Sequence, residues 1–461
     1  MTTTLYLPVE NQVRELDAKL LFAGLAAARG YRVVLGNKQL LHFALPRFAP
    51  GVFIAKSMRA RGRLMFDIIR GLGHELVAWD EESLVRFDSP EYYDWRFSPA
   101  TFNAIRHLFA WGEDDAAMFA AYPGNDGSVA IHPTGNPRLD LLRPRLAGFF
   151  AEECAALQRR HGRYVLVNTN FSFVNPFLAT HALVLGPAAG GQRESRVAHG
   201  MSAEFARGMY AHQEAIFAHF RALLPRLAAA LPDTRIVLRP HPSENHDVWR
   251  ELLAPHANIE VCHEGNVIPW LMGAALLLHN GCTTAVEASL AERPVVAYRP
   301  VRSETFDYAL PNGLSHQADS IDAVIEQVGA ILDGRLGLVD AATRGRFYAR
   351  HLAAAEGPLA CERILDVLDG LGYRAGWQAP VRRGARARAR VRGAVRTAIK
   401  RFNMRRRNHW ASGRYNAHRY PGIAADALNA RLARLLQAAG VTAAVHAEPC
   451  GEDLYRLEPP R

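Results

Sequence analysis

The sequence predicts an α/β protein with two doubly wound, Rossmann-type domains in series and a basic helical extension. Three observations predict it. From residue 5 to about 370, short β-branched runs alternate with stretches of helical period, the pattern of parallel α/β units. The runs fall into two successive sets. And 461 residues with 49% hydrophobic content exceed one domain and suffice for more than one sizeable core.

The first set reads "LYLPV", "YRVVLG", "GVFIAK", "ELVAW", "LFAWG" and "VAIHPTG". The first intervening helix, "RELDAKLLFAGLAAARG", carries Leu16, Leu20, Ala23 and Ala27 at helical spacing and stops at Gly30. The second set is "RYVLVNTN", "RIVLRPH", "NIEVCHE", "ALLLHNG" and "RPVVAYRP". The join falls between Pro144 and Gly162, bridged by the helix "GFFAEECAALQRRH". The expected domains are therefore 1–150, 151–372 and an Arg-rich extension, 373–461. Two such domains form a cleft at the carboxyl ends of their strands, where open α/β sheets place ligands.

The opening "MTTTLYLPVENQ" has no basic n-region, and the longest apolar run, "AALLL" at 274–278, is far shorter than a membrane span of about 20 residues. Five cysteines, at 154, 262, 282, 361 and 450, give neither a zinc spacing nor a disulfide framework. A cytoplasmic protein is expected, with no metal or cofactor. Neither GxxxxGK[ST] nor GxGxxG follows a strand, which weighs against P-loop ATPases and ordinary dinucleotide enzymes.

The net charge of +10 is local. Twelve Lys and Arg and no acid lie between Arg382 and Arg407, so without that segment the formal charge is −2. A nucleic-acid-binding fold spreads its cations over a face of the core, and no specific nucleic-acid partner is expected. Within the segment Val391, Val395, Ile399 and Phe402 recur at helical spacing, so a helix here presents an apolar stripe flanked by Arg. Such a helix suits the surface of an anionic membrane, giving peripheral attachment at the inner membrane. A solvated arm is the plainer alternative.

Candidate functional residues sit where strands end. In "IVLRPHPSENHDVW", Pro240 and Pro242 restrict His241 to a narrow backbone range. His241 is then either a rigid turn element or a hydrogen-bond donor to a phosphate, with Arg239 supporting the same anion or facing solvent. In "LLLHNGCTTAVEASLAERP" a strand and Gly turn lead into a helix at Thr283 or Thr284. Its first-turn N–H groups and hydroxyls form an anion site, although Thr284 and Glu287 also have the spacing of a capping box. "VNTNFSFVNP" supplies Asn170 among uncharged donors and acceptors suited to sugar or phosphate oxygens, or an Asx-rich loop. "ELVAWDEES" delivers Asp80, Glu81 and Glu82 at a strand end, either as a general base or nucleophile or as helix caps. "PVENQVRELDAK" offers Glu10 and Arg14 on the acceptor side, with an Arg14–Asp17 surface pair as the default.

The strings "RELDAKLL", "DEES", "TGNPRLDLLRP", "TNFSFVN", "RPHP" and "HNGCTTAVEASLAERPVVAY", in this order, resemble the bacterial surface carbohydrate biosynthesis proteins, GT-B-like glycosyltransferases of capsule and O-antigen loci. The His-Pro pair followed by a Ser/Thr helix start is also similar to motifs of sialyltransferases, 3-deoxy-octulosonate (Kdo) transferases and CDP-glycerol glycerophosphotransferases. The resemblance implies a GT-B-like fold and a nucleotide-sugar donor, CMP-linked in those enzymes' manner, with His241, Thr283 and Thr284 on its phosphate and Glu287 near the ribose. It further implies a glycan or lipid-linked acceptor. A nucleotide-sugar epimerase of the same architecture and a non-catalytic polysaccharide-assembly protein are the alternatives. The last hundred residues lie outside the resemblance.

Overall fold

A computed structural model describes residues 2–188, 191–377, 381–406 and 412–460. The chain divides into two compact units, Met1–Ser83 with Phe97–Phe149 and Ala349–Arg461, and Leu84–Arg96 with Phe150–Tyr348.

In the first unit, β1 (Thr4–Val9), β2 (Arg32–Asn37), β3 (Val52–Ala55), β4 (Glu75–Trp79), β5 (His107–Ala110) and β6 (Ala130–Pro133) run parallel. Every residue of β1, β3 and β5 is buried, which is why they read as unbroken apolar runs rather than alternating ones. In the second unit the parallel strands are β7 (Tyr164–Asn168), β10 (Arg235–Arg239), β11 (Ile259–Val261), β12 (Leu276–His279), β13 (Val295–Tyr298) and β14 (His316–Ala318), with a separate hairpin of β8 (Val184–Ala188) and β9 (Gly191–Glu194). Two antiparallel strands, β15 (Ala447–Gly451) and β16 (Leu454–Leu457), close the chain.

The sheet orders are β15-β16-β2-β1-β3-β4-β5-β6 and β11-β10-β7-β12-β13-β14. The second is the Rossmann order, and in the first unit the chain reverses direction across the sheet between β1 and β3. Core side chains line both faces of the second sheet, Phe171, Phe220, Trp249 and Leu238 on one side and Tyr164, Leu166, Trp270 and Leu277 on the other.

This division differs from the sequence-based one in two places. Residues 84–96 leave the first unit because their aromatic side chains pack in the second, Phe87 on Phe205 with ring centroids 5.1 Å apart. Trp95 Nε1 in that stretch donates to Val197 O at 3.0 Å. The chain from 349 onward belongs to the first unit, so 349–372 leaves the second and 373–461 is not set apart as its own extension. Buried Asp140 accepts the backbone N–H groups of Ala360 and Cys361 at 2.7 and 2.9 Å, capping the helix Ala360–Gly370. Burial pushes the Asp140 carboxyl up to about 6. The helix Ala425–Ala438 lays Leu432 and Leu436 over Gly24, where a Cβ would meet them at 2.8 and 2.9 Å. β16 then pairs antiparallel with β2.

The helix Arg383–Met404 forms as the sequence predicts, and Arg407 lies outside the described residues. Its small residues make one flank: Ala389 and Gly393 are buried, and Ala389 sits 2.8 Å from a Cβ built on Gly71 of the helix Arg63–Leu72. The predicted stripe is left outside, with Val391 64%, Val395 55%, Ile399 56% and Phe402 64% exposed. Among the described residues, no helix is long and apolar enough to cross a membrane.

Candidate functional site

In the second unit the strand order reverses between β7 and β12, the position at whose carboxyl ends open α/β sheets place ligands. Asn280, just after β12, bridges to the loop after β7. Its Oδ1 accepts from Asn170 N at 2.9 Å and its Nδ2 donates to Asn170 O at 3.5 Å, so the backbone of the predicted Asn170 is fixed by a residue that the sequence reading did not single out.

The turn after β12 rests on a fully buried histidine. His279 Nδ1 accepts from Gly281 N at 2.8 Å, and its Nε2 lies 2.9 Å from Ser315 Oγ, which itself donates to Pro311 O at 2.6 Å. Burial pushes the His279 imidazole down to about 3, so the ring is neutral with its proton on Nε2. Gly281 has φ +96°, and a Cβ there would lie 2.9 Å from Tyr308 Cδ2, which together require glycine.

The helix Thr283–Leu290 starts from Cys282, an extended N-cap that makes no side-chain cap bond. Thr283 and Thr284 occupy its first turn, half-buried, with Thr284 Oγ1 2.6 Å from Cys282 Sγ. The Thr284–Glu287 capping box does not form, because Thr284 is inside the helix rather than at its N-cap. Glu287 is 0% exposed. It offers no surface to a ligand, which corrects the expected ribose contact.

His241 follows β10, next to β7 in the sheet. Its Nδ1 accepts from Ser243 N at 3.2 Å. A lone pair must therefore face that N–H, which puts the ring proton on Nε2 and makes Nε2 a donor. Glu244, 0% exposed, ties this loop to the loop after β7. Its Oε1 accepts from Thr169 Oγ1 (2.9 Å), Phe171 N (3.0 Å) and His241 N (3.0 Å), and its Oε2 from Trp249 Nε1 (3.1 Å). Burial raises the Glu244 carboxyl above its usual value, against the pull of these hydrogen bonds. Asn170, His241 and the Thr283 helix start thus belong to three loops tied together by Asn280 and Glu244.

Arg239 does not join them. Its guanidinium donates to the carbonyls of Glu264 (2.6 Å) and Gly265 (3.1 Å) and lies 5.1 Å over the Trp270 ring. Arg239 is 4% exposed, and burial pushes it down to about 10. It neither supports the anion site nor faces solvent, because the loop after β11 uses its donors.

The first unit carries a second gathering where its order reverses. Glu10 follows β1 and Lys56 follows β3, 2.9 Å apart. Glu10 also pairs with Lys38 (3.1 Å) and Arg419 (2.9 Å). Burial works to raise its carboxyl, but Lys38, Lys56 and Arg419 outweigh that and hold it well below the usual range. Behind it, buried Glu15 bonds Lys19 (2.8 Å) and Lys56 (2.6 Å), and Lys19 reaches Glu81 at 2.8 Å. Arg14 is half-buried. The default Arg14–Asp17 pair is replaced, since Asp17 Oδ2 accepts from Arg431 Nη2 at 2.9 Å.

The acidic turn splits by burial. Asp80 is 0% exposed; its Oδ1 accepts from Glu82 N at 2.9 Å and its carbonyl from Trp111 Nε1 at 2.7 Å. Glu81 accepts from Trp79 Nε1 at 3.0 Å and pairs with Lys19. These two carboxylates hold the turn together and do not match the expected base or nucleophile. Glu82 is the open one, its side chain 42% exposed and paired with Arg59 at 3.2 Å.

Sequence reasoning passed over Glu244, His279, Asn280, Lys19 and Lys56. For Lys19 a signal existed, since an apolar run, "LLFAGLAA", follows it directly and Glu15 stands one helical turn before it as a partner. Glu244 gave none, because a glutamate among Ser, Asn and His reads as a solvated loop.

No family model matches this sequence, and no curated protein is significantly similar to it. Solved structures are similar in fold. The UDP-GlcNAc 2-epimerase from Neisseria meningitidis bound to UDP-GlcNAc aligns over 80% of this chain and 100% of that one, at 13% identity and a TM-score of 0.50. The chain has a GT-B-like fold. The wall teichoic acid polymerase TagF aligns over 80% of this chain and 88% of that one, at 10% identity and a TM-score of 0.48. Anabaena Alr3699/HepE in complex with UDP-glucose aligns over 80% and 100%, at 13% identity and a TM-score of 0.43. At such identities the likeness is one of fold, and the argument from it rests on the epimerase alone.

Proposed function

We propose that this protein is a glycosyltransferase that takes a sugar from a nucleotide-sugar, CMP-linked in our reading, and adds it to a cell-surface polysaccharide or its lipid carrier. The observation that carries the reading is the joining of the His241, Asn170 and Thr283 loops at the carboxyl ends of β10, β7 and β12. In this reading His241 Nε2–H, the first-turn N–H groups and hydroxyls of Thr283 and Thr284, and Asn170 face the donor's phosphate. As the bond from sugar to phosphate breaks, negative charge builds on the phosphate oxygens. Donors already held in place then stabilise it with little reorganisation. Glu82, the exposed carboxylate of its turn, is our choice for taking the proton of the acceptor hydroxyl.

The helix Arg383–Met404 supports a lipid-linked acceptor. Its exposed stripe and excess of arginine fit attachment to an anionic bilayer, each cation near the headgroups contributing about 1 kcal/mol. The epimerase reading draws on the likeness to the UDP-GlcNAc 2-epimerase. We favour transfer, because an enzyme whose substrate and product are both soluble gains nothing from a bilayer-facing helix.

The test is a thermal-shift screen of the full chain with CMP, CDP, UDP and GDP, since a ligand that binds only the folded state raises its apparent stability. Stabilisation by cytidine nucleotides is expected. The same protein incubated with nucleotide-sugar alone should return it unchanged; a sugar isomer appearing without acceptor would establish the epimerase instead.

A further inference from the structure

The helix Arg383–Met404 presents three faces. One packs on the helix Arg63–Leu72 through Ala389 and Gly393. The second is the exposed Val391, Val395, Ile399 and Phe402 stripe. On the third, Arg390, Ala394, Thr397 and Arg401 follow one another at i, i+4, i+7 and i+11, about a quarter-turn or a little more round the helix from the stripe. This third face walls a groove of about 400 Å³ whose other side is Phe43, Pro46 and Arg47. Its lining is mostly apolar, three arginines, Arg47, Arg390 and Arg401, contribute to it, and no acid is among the lining residues. The Arg401 guanidinium lies 5.6 Å over the Phe43 ring, which holds that cation at the rim.

We infer that this groove seats the phosphomonoester headgroup of a bilayer lipid while the stripe beside it enters the acyl region. The inference rests on the membrane attachment proposed above and adds a selectivity to it. Guanidinium groups form paired, charge-assisted hydrogen bonds to phosphate oxygens. A phosphomonoester offers more free oxygens and more charge than a phosphodiester. Positive charge is already crowded on the helix: burial, then Arg396 and Lys38, push the Lys400 ammonium down to about 8. A dianionic headgroup meets the three groove arginines with opposite charge, and an uncharged or apolar occupant does not.

The experiment is flotation of the full chain with vesicles of phosphatidylcholine alone, or mixed with phosphatidylglycerol or phosphatidic acid at matched surface potential. The wild type should bind both anionic vesicles, and phosphatidic acid about tenfold more strongly, the worth of one charge-assisted hydrogen bond. The triple variant Arg47→Gln, Arg390→Gln, Arg401→Gln should lose the preference. The control Arg388→Gln, Arg392→Gln, Arg406→Gln removes the same charge away from the groove and should bind more weakly but keep the preference. Equal preference in both triples, or none in the wild type, overturns the groove alone. Failure of the wild type to bind either anionic vesicle overturns the attachment as well. All six arginines are exposed, and unchanged melting temperatures verify that the variants fold.

Discussion

Replacing His241 by asparagine separates the two things its ring does. Nδ1 accepts from Ser243 N–H at 3.2 Å, and an asparagine Oδ1 reaches about the same point, so the turn keeps its bond. The backbone is held independently, His241 N donating to Glu244 Oε1 at 3.0 Å and His241 O accepting from His246 Nε2 at 3.1 Å. What disappears is the Nε2–H donor. A hydrogen bond to a charged group contributes about 1.5–3 kcal/mol, so nucleotide affinity should fall by roughly 10- to 100-fold. Stability should fall by less than affinity does, because the turn's bonds to the backbone and to Nδ1 are kept. Titration calorimetry with the nucleotide that gives the largest thermal shift, together with urea unfolding, measures both. Affinity within about twofold of wild type would remove His241 from the phosphate. A loss of stability with no loss of affinity would return it to a turn element. His241→Gln runs the other way, since its amide reaches toward Nε2 but not Nδ1, and should keep more of the affinity.

Glu244→Leu strands the four donors that Glu244 accepts from, two of them on the loop after β7. At about 1–3 kcal/mol for each buried donor left unsatisfied, we expect a loss of at least about 4 kcal/mol in urea unfolding together with the nucleotide response. Glu10→Gln tests the first unit's ionic cluster. Its folded-state carboxyl is held below the ordinary value, so its contribution is complete above about pH 4.5 and is lost as pH falls through the folded-state value. The variant should be less stable at neutral pH by about 3 kcal/mol and should lose less on acidification; a wild-type acid slope would contradict the assignment. Gly281→Ala forces a Cβ to 2.9 Å from Tyr308 at a positive φ, a strain of about 1–3 kcal/mol. It should abolish the nucleotide-induced thermal shift while far-UV circular dichroism stays unchanged.

The parallel strands were legible because strands buried on both faces are short apolar runs, and "LYLPV", "GVFIA" and "LLLH" have little else to become. The basic stripe was legible for the same reason, since four apolar residues at helical spacing among arginines have one way to align. The closing hairpin was not. In "AEPCGEDLYRL" polar and apolar residues alternate over only a few positions, and the pairing of Leu454 to Leu457 with β2 depends on a strand more than four hundred residues earlier. Strand-end chemistry was half legible. His241, Asn170 and Thr283 stand at strand ends that sequence alone locates. Burial decides between Asp80, Glu81 and Glu82, and three adjacent acids look alike until one knows which of them the turn encloses. Arg239 failed for the same reason, because its partners are carbonyls of another loop and carry no side-chain signature.

The two sheets end in different electrostatics, and the difference bears on the proposed chemistry. At the reversal of the first unit, lysines and glutamates already neutralise one another, Lys56 between Glu10 and Glu15 and Lys19 between Glu15 and Glu81. At the reversal of the second, the groups read as facing the phosphate are dipolar donors, an imidazole N–H, asparagine, two threonine hydroxyls and backbone N–H groups, while the buried Glu244 carboxyl is taken up by loop donors and the guanidinium of Arg239 is turned onto loop carbonyls. Dipolar donors hold a phosphate through short-range geometry, which salt screens little, whereas exposed charges lose much of their attraction within a Debye length of about 8 Å at physiological ionic strength. Nucleotide affinity should therefore change little as sodium chloride is raised from low to near-molar concentration. Vesicle binding by the arginine helix of the same preparation should fall steeply over that range. A nucleotide affinity that falls as steeply as the vesicle binding would mean that cations, not these neutral donors, hold the phosphate, and the reading of the site would have to be rebuilt around them.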